Sequence, residues 1–395
     1  IKRYPALTSG VSCRDNACEF YTQADVRRIV RFAKSRNITV VPEIEMPAHA
    51  TAALRAYPQL GCGSAGVICP RESAVAFLEN VLVEVMRLFP SRYIHVGGDE
   101  APVSTERYLM PRIEAFLHAH GRAMVGWDDI LGSGVSRKAV IMAWNGERRA
   151  IAAISAGHDV VMVPDGPLYF DAYQGARSQE PPATQHMATL EEVYSYDPTP
   201  DGLSGEQRSH ILGAEAALWT EKIASPNRLF AMALPRAIAL SEIAWTPPAQ
   251  KSWRSFLSRL PAQLAWLRAN GYSFRTPSPM IDVIGRRMRF QSMPGNVSGA
   301  IALTDQSAAT VRLNEPLKGV EIRYTLDGTA PTARSALYGS PLNLRLDRGS
   351  QTVTAAAFDA RGEVSESSSV VVKRLAPSAF KRTNGSRAWG SIVSP

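Results

Sequence analysis

Apolar positions along this chain fall into two textures. From Ile1 to about Phe274, short apolar runs alternate with stretches in which apolar residues recur at helical spacing. Six of the runs are strand candidates: Ile38–Glu45 (ITVVPEIE), Tyr93–Asp99 (YIHVGGD), Ala123–Asp128 (AMVGWD), Ala139–Trp144 (AVIMAW), Asp159–Pro164 (DVVMVP) and Ile211–Trp219 (ILGAEAALW). Most are nearly continuous rather than alternating, the pattern of strands covered on both faces in a parallel sheet. Between them, Ala24–Asn37 sets Val26, Ile29, Val30 and Ala33 at helical spacing. Val75–Leu88, Pro111–Gly121 and Arg148–Gly157 read the same way. Repeated strand–helix units with polar residues at the strand exits predict an α/β chain of barrel type.

A closed barrel of this type has eight strands. Only 37 residues precede Ile38, and the last 14 of them already read as helix. The expected architecture for residues 1–275 is therefore a (β/α)8 TIM-type barrel lacking its first two strands. IKRYPALTSG has neither an initiator Met nor the basic-then-apolar pattern of a signal peptide, which points to a processed or truncated chain. Unpaired sheet edges invite aggregation, so this chain alone, unlike its full-length parent, is expected to fold poorly or to be inactive.

After Phe274 the texture changes. Thr276–Pro279 (TPSP) reads as a linker, and IRYTLDGTAPT (322–332) and QTVTAAAFDARGEVS (351–365) alternate apolar and polar residues around Asp-Gly and Arg-Gly turns. Residues 280–375 are expected to form a small all-β immunoglobulin-like sandwich, with 376–395 as a flexible tail.

Hydrophobic residues make up 45% of the chain, enough for a large core and too many for a disordered segment. No apolar run approaches the roughly 20 residues that span a membrane. The net charge is +8, but the Lys and Arg residues are scattered, so no nucleic-acid partner is expected. There is no P-loop, GxGxxG or HExxH, which removes nucleotide and zinc-protease readings; no cofactor and no metal are expected. Of the four cysteines, Cys13 and Cys18 are five apart, and Cys62 and Cys69 seven apart. Each pair could close a small loop disulfide or stand as free thiols; the disulfide alternative fits an oxidising compartment.

The strongest chemical signal is HVGGDE, His95 to Glu100, at the end of a strand candidate, where barrel enzymes place their sites. Asp99 and Glu100 are adjacent carboxylates; in unlike environments one can stay ionised while the other keeps a proton to donate. The other strand exits carry PEIEMPAH (42–49) with Glu43, Glu45 and His49, then GWDD (126–129), AWNG (143–146), PDGPLYFDAYQ (164–174) and GAEAALWTE (213–221). Trp127, Trp144 and Trp219 thus stand at three strand ends, with Tyr169, Asp171 and Glu221 nearby. Indole faces against apolar sugar faces, with carboxylates taking hydroxyls, make a sound carbohydrate pocket.

Taken together, YTQADVRRIVRFAKSRNITVVPEIEMPAHA, FPSRYIHVGGDEAP, GRAMVGWDDIL, LYFDAYQ and LGAEAALWTE followed by PRAIALSEIAW resemble the family 20 glycoside hydrolases, the β-N-acetylhexosaminidases and bacterial chitobiases. The resemblance covers about Ile1 to Trp245, and the sandwich resembles the small β-domain that follows the barrel in bacterial chitobiases. It implies retaining, substrate-assisted hydrolysis of N-acetylglucosamine-containing oligosaccharides. Glu100 would be the general acid and later the base. Asp99 would orient the 2-acetamido group, whose oxygen is the nucleophile, and Tyr169 would hydrogen-bond that oxygen. Trp127, Trp144 and Trp219 would wall the acetamido pocket, Asp171 and Glu221 would bind outer hydroxyls, and His49, His95 and Glu45 would support the acidic pair from behind. The chain departs from the family pattern at Glu45 and Ala48, where the family has Asp and Gly. The loop after the Glu100 strand is short for the family, and the Arg expected on the first two strands has no counterpart. Two further readings stand beside this one: a barrel glycosidase using two protein carboxylates, and a non-catalytic chitin- or glycan-binding remnant. An extracellular polysaccharide substrate together with loop disulfides would place the protein in the periplasm or outside the cell. Nothing in the sequence sets an oligomeric state.

Overall fold

The computed structural model describes the chain except residues 10–19, 64–65, 175–180, 286–287, 293–298, 315–318, 348, 360–364, 366 and 383–395. It forms two compact units, one of residues 1–165 with 198–215, the other of 166–197 with 216–395.

The first unit is built on one sheet of six strands in the order β1-β2-β3-β4-β5-β8, every neighbouring pair parallel. These are Glu43–Met46, Tyr93–Gly97, Ala123–Trp127, Val140–Ala143, Val160–Met162 and Ile211–Ala214. Five lie inside the runs expected from sequence, and the first overlaps its run but ends one residue past it, at Met46. The first is shorter than its run: Pro42 has no N–H to give the ladder, though its carbonyl still accepts from His95 N (2.9 Å). The helices are α1 (Ala6–Ser9), α2 (Gln23–Lys34), α3 (Thr51–Ala56), α4 (Glu72–Leu88), α5 (Val103–Ala119), α6 (Glu147–Ser155) and α8 (Gly205–Ser209). A capping box formed by Thr22 and Asp25 starts α2.

Side chains on a strand alternate between faces. Ile94, Val96, Met124 and Ile141 lie on one face of the sheet and are fully buried. Glu43, Tyr93, His95, Val125, Trp127, Val140 and Met142 lie on the other and line a cavity of about 200 Å³.

Helix α5 departs from expectation. Pro111 reads in sequence as a helix start, yet the helix begins at Val103 and runs through it. An interior proline costs about 3 kcal/mol. Leu109, Met110, Ile113 and Leu117 are all fully buried, and at about 2 kcal/mol each such burial outweighs the break.

In the second unit, β6 (Ala172–Tyr173) pairs with β7 (Thr184–Met187), and α7 (Leu190–Ser195), α9 (Pro226–Ala233), α10 (Arg236–Trp245) and α11 (Trp253–Ala269) follow. Glu242 ties three of these helices together. It accepts from Tyr194 Oη at 2.9 Å and from Arg259 at 2.7 and 2.8 Å.

The rest of this unit is all-β. One sheet runs β10-β11-β17-β16-β13-β14 and a second β15-β12-β9. In chain order these are Met280–Ile284, Arg289–Ser292, Gly299–Thr304, Ala308–Asn314, Glu321–Thr325, Ala336–Leu337, Leu342–Arg345, Ser350–Phe358 and Ser368–Arg374. Pairing is antiparallel except for β11 with β17. Val283, Val311 and Leu344 from one sheet meet Ala302, Val353 and Val370 from the other in a single buried core. The expected tail begins with the short helix α12 (Pro377–Arg382), and its remainder lies outside the described residues. No helix among the described residues is long and apolar enough to cross a membrane.

Candidate active site

Strand β2 ends at Gly97 and is followed by Gly98, both at positive φ (68° and 99°), and Glu100 two residues on also has φ of 52°. Glycine adopts this region freely, whereas a glutamate held there is strained by about 1 kcal/mol or more. The turn sends the neighbouring carboxylates into different surroundings. The Asp99 side chain is 20% exposed and that of Glu100 62%. His49, itself at φ of 49° in the loop after β1, places Nε2 3.3 Å from Asp99 Oδ2 and 3.3 Å from Glu100 Oε2.

Glu45 lies behind this pair. Its Oε1 accepts from Gly98 N at 3.0 Å, and its carboxyl fills the place a side-chain carbon on Gly97 would take. Burial pushes the Glu45 carboxyl up to about 9, and the neighbouring Asp99 charge adds to that. Burial also raises Asp99, while His49 and a hydrogen bond from Glu45 pull it back. Glu45 therefore holds its proton at neutral pH and can give it in a hydrogen bond to Asp99.

Two residues before Glu45, on the same face of β1, Glu43 meets two expected site residues. Its Oε1 accepts from Trp127 Nε1 at 3.0 Å and lies 3.3 Å from His95 Nδ1. The His95 ring meets the Trp127 ring edge-on, centroids 4.9 Å apart. His95 Nδ1 is also 3.0 Å from Gly97 N, which links it to the acidic turn. Burial drives the imidazole down to about 3, so His95 is neutral. Glu215 lines the same cavity, raised to about 6 by burial and then by Glu43.

The other indole of this unit is anchored in the same way: Trp144 Nε1 donates to Asp129 Oδ2 at 2.8 Å. Asp129 sits on the 3₁₀ turn Asp128–Ile130 that directly follows Trp127. Buried Asp128 holds that turn by accepting from Asn145 N at 3.0 Å and Asn145 Nδ2 at 2.7 Å. The charge of Asp129 contributes to raising both Asp99 and Glu106, the latter to about 7, with burial the larger cause in each.

Tyr169, Asp171, Trp219 and Glu221 belong to the second unit, where they are gathered by a backbone crossing. Phe170 N donates to Ala217 O at 2.7 Å and Ala217 N to Leu168 O at 2.9 Å. The crossing brings the rings of Tyr169 and Trp219 to 6.5 Å between centroids. Asp171 is 1% exposed; burial raises its carboxyl, with Glu221 adding to the effect.

Cys62 and Cys69 are joined by a disulfide, Cα atoms 5.3 Å apart. Their loop hydrogen-bonds to the segment carrying His49, through Ala50 N to Gly66 O (2.9 Å) and Ile68 N to Pro47 O (2.8 Å). Cys13 and Cys18 lie outside the described residues. No group of three or more His, Cys, Asp or Glu among the described residues is placed to hold a metal ion.

Sequence reading noted Glu43 and Asp129 within their motifs but gave them no partner. For Glu43 the signal was its spacing of two from Glu45, which puts both carboxylates on one strand face.

The model of the glycosyl hydrolase family 20 catalytic domain matches residues 1–105 and 102–248. The chain belongs to this family. A second model, the chitobiase/β-hexosaminidase C-terminal domain, matches residues 303–369. A β-hexosaminidase of Porphyromonas gingivalis (strain ATCC BAA-308 / W83) is 38% identical over 87% of this chain and 47% of its own length. Among solved family 20 structures, the exo β-N-acetylglucosaminidase of Vibrio harveyi, in complex with N-acetylglucosamine, superposes with a TM-score of 0.61. It is 30% identical, over 65% of this chain and 46% of that one. The β-N-acetylhexosaminidase of Streptomyces coelicolor A3(2) gives 0.64 and 28%, over 69% and 60%. The chain thus spans about half the length of the first of these relatives. Likeness to these family 20 structures gives the chain a TIM-barrel-like α/β domain followed by a β domain.

Proposed function

We propose that this protein removes terminal β-linked N-acetylhexosamine from oligosaccharides by a retaining reaction in which the substrate's own acetamido oxygen is the nucleophile. The observation that carries the reading is the unequal pair at the exit of β2. Asp99 is mostly buried with Glu45 behind it, Glu100 is mostly exposed, and one imidazole nitrogen lies 3.3 Å from each. Such an arrangement supports two different duties for two adjacent carboxylates.

Glu100 gives its proton to the leaving glycosidic oxygen as the acetamido oxygen bonds to C1, leaving an oxazolinium ion. Asp99 accepts from the acetamido N–H and balances the positive charge on that nitrogen. Water then attacks C1, Glu100 takes its proton, and the ring opens with the configuration retained. Trp127 and Trp144, fixed by Glu43 and Asp129, keep the acetamido group dry so that these charges act strongly. Tyr169 is assigned to the acetamido oxygen, Trp219 to the sugar face, and Asp171 and Glu221 to outer hydroxyls.

The relatives' names support the substrate class. We further propose that the six-stranded sheet is the larger part of an eight-stranded barrel, a reading supported by β1 and β8 lying at its two edges. An immunoglobulin-like sandwich is supported by two sheets sharing one core. The Cys62–Cys69 disulfide supports a periplasmic or secreted location.

The decisive experiment compares 4-nitrophenyl N-acetyl-β-glucosaminide with 4-nitrophenyl β-glucoside, which lacks the internal nucleophile. Turnover of the first at least about a hundredfold faster is expected. Equal rates would point to a glycosidase using two protein carboxylates, and binding without turnover of either to a glycan-binding remnant.

A further inference from the structure

The motif PRAIALSEIAW contains the largest fully buried side chain among the described residues, Arg236, at the start of α10. Its guanidinium converges on backbone carbonyls from three segments. Nη1 donates to Ala188 O at 2.8 Å and reaches Ala172 O at 3.4 Å. Nε and Nη2 donate to Met232 O at 3.1 and 2.5 Å, and Nη2 also donates to Phe170 O. The group lies over the Phe170 ring, 4.8 Å from its centroid. Two of these carbonyls, Phe170 O and Ala172 O, flank Asp171. The Asp171 side chain is almost wholly buried, its Oδ1 lacks a hydrogen bond of normal geometry, and the Thr184 hydroxyl lies beside it.

A buried carboxylate oxygen with only one hydroxyl beside it, and that one not well aligned, keeps the capacity to accept from a further donor. Of the two peptide units around Asp171, one has its carbonyl, Phe170 O, held by this planar, permanently charged fork, and the other has its carbonyl, Asp171 O, accepting from Thr184 N at 3.2 Å; the fork also reaches the next carbonyl on, Ala172 O. Five N–H donors in fixed directions suit several carbonyls at once, whereas a lysine offers a point charge on a flexible stem. We propose that Arg236 is a positioning residue for sugar recognition: by holding the backbone carbonyls of Phe170 and Ala172, the residues before and after Asp171, it aims that carboxylate at a substrate hydroxyl. This deepens the functional reading above and rests on it. Burial and Glu221 push the Asp171 carboxyl toward its neutral form, and the Arg236 charge opposes them. The arginine thus both aims the acceptor and helps keep it ionised.

The test uses Arg236→Lys, Asp171→Asn and the double variant, with 4-nitrophenyl N-acetyl-β-glucosaminide as substrate and thermal melting as the check on folding. Arg236→Lys should raise KM about tenfold, the loss of one charge-assisted hydrogen bond, while kcat falls much less. In the Asp171→Asn background the same substitution should change KM by less than about twofold, because the residue it acts through is already altered. Equal effects of Arg236→Lys in both backgrounds, or a loss confined to kcat, would overturn the proposal. If Arg236→Lys does not fold, Arg236→Gln, which keeps two donors without charge, is read in its place. Failure of both to fold would make Arg236 a residue the fold requires and would equally overturn the proposal. A parent protein that does not turn over the glucosaminide would instead refute the functional reading.

Discussion

The carboxyl of Glu45 occupies the space beside Gly97 in which any larger residue would place its first side-chain carbon. The two residues sit on paired neighbouring strands, β1 and β2. Glycine at 97 is therefore needed twice, for its positive φ and for the room Glu45 requires. Gly97→Ala should lower stability by about 2–4 kcal/mol, combining strain with overpacking. Urea denaturation measures this, and Glu45→Ala in the same protein should restore part of the loss. Additive effects would show that the two residues do not compete for space.

The unequal acidic pair sets the expectation for direct substitution. Glu100→Gln should lower kcat by about 10²–10⁴-fold, the range for loss of a general acid. Asp99→Asn should slow N-acetylglucosaminide turnover while its hydrogen bonding to Glu45 and His49 is disturbed. Unchanged kcat in Asp99→Asn would remove the assigned role.

Glu45 should make the protein sensitive to alkali. Its folded-state value is raised from 4.5 to about 9, chiefly by burial. The native state therefore holds a proton that the unfolded chain has already released. The stability from this group is fully present below about pH 4.5 and is lost as pH rises toward 9. Ionised Glu45 would then repel Asp99 and disturb its hold on the acetamido N–H, so kcat/KM should decline on the alkaline side. Glu45→Gln carries no such proton, and its pH profile should lack that limb. An identical limb in both proteins would assign it elsewhere.

Glu43 anchors Trp127 by accepting its indole N–H. Glu43→Leu removes that acceptor and should reduce kcat/KM about tenfold or more, the effect of losing one buried hydrogen bond to a charged group. Glu43→Gln keeps an acceptor and should stay within about threefold of the parent. Comparable losses in the two variants would argue against the anchoring role.

The Cys62–Cys69 bridge closes a short loop against the segment that carries His49. For a loop of this length the chain-entropy model gives about 2.5 kcal/mol. Replacing both cysteines with serine should lower the melting temperature accordingly, and kcat should fall modestly as His49 loosens. A melting temperature unaffected by reducing agent would contradict this.

Much of the scaffold was legible in the sequence because it depends on near neighbours. Continuous apolar runs such as YIHVGGD and AVIMAW became parallel strands, and the spacing of Val75–Leu88 became a buried helix face. Pro111 was misread because local propensity argued for a break, while the four fully buried side chains that override it are a tertiary quantity. The acidic pair, its histidine and the indoles were all visible as residue types at strand exits.

By itself, the sequence determined the order of strands and helices and the list of polar residues delivered to one end of the sheet. Only the tertiary structure decided which of them share protons and donors. Trp127 and Glu43 are 84 positions apart, and Glu45 and Gly98 are 53 apart. Such pairs meet because parallel strands register side by side, and no local pattern encodes that register. Protonation of Glu45 and burial of Arg236 belong to the same class. Both arise from the exclusion of water by residues distant in the chain, which exists only once the chain has folded.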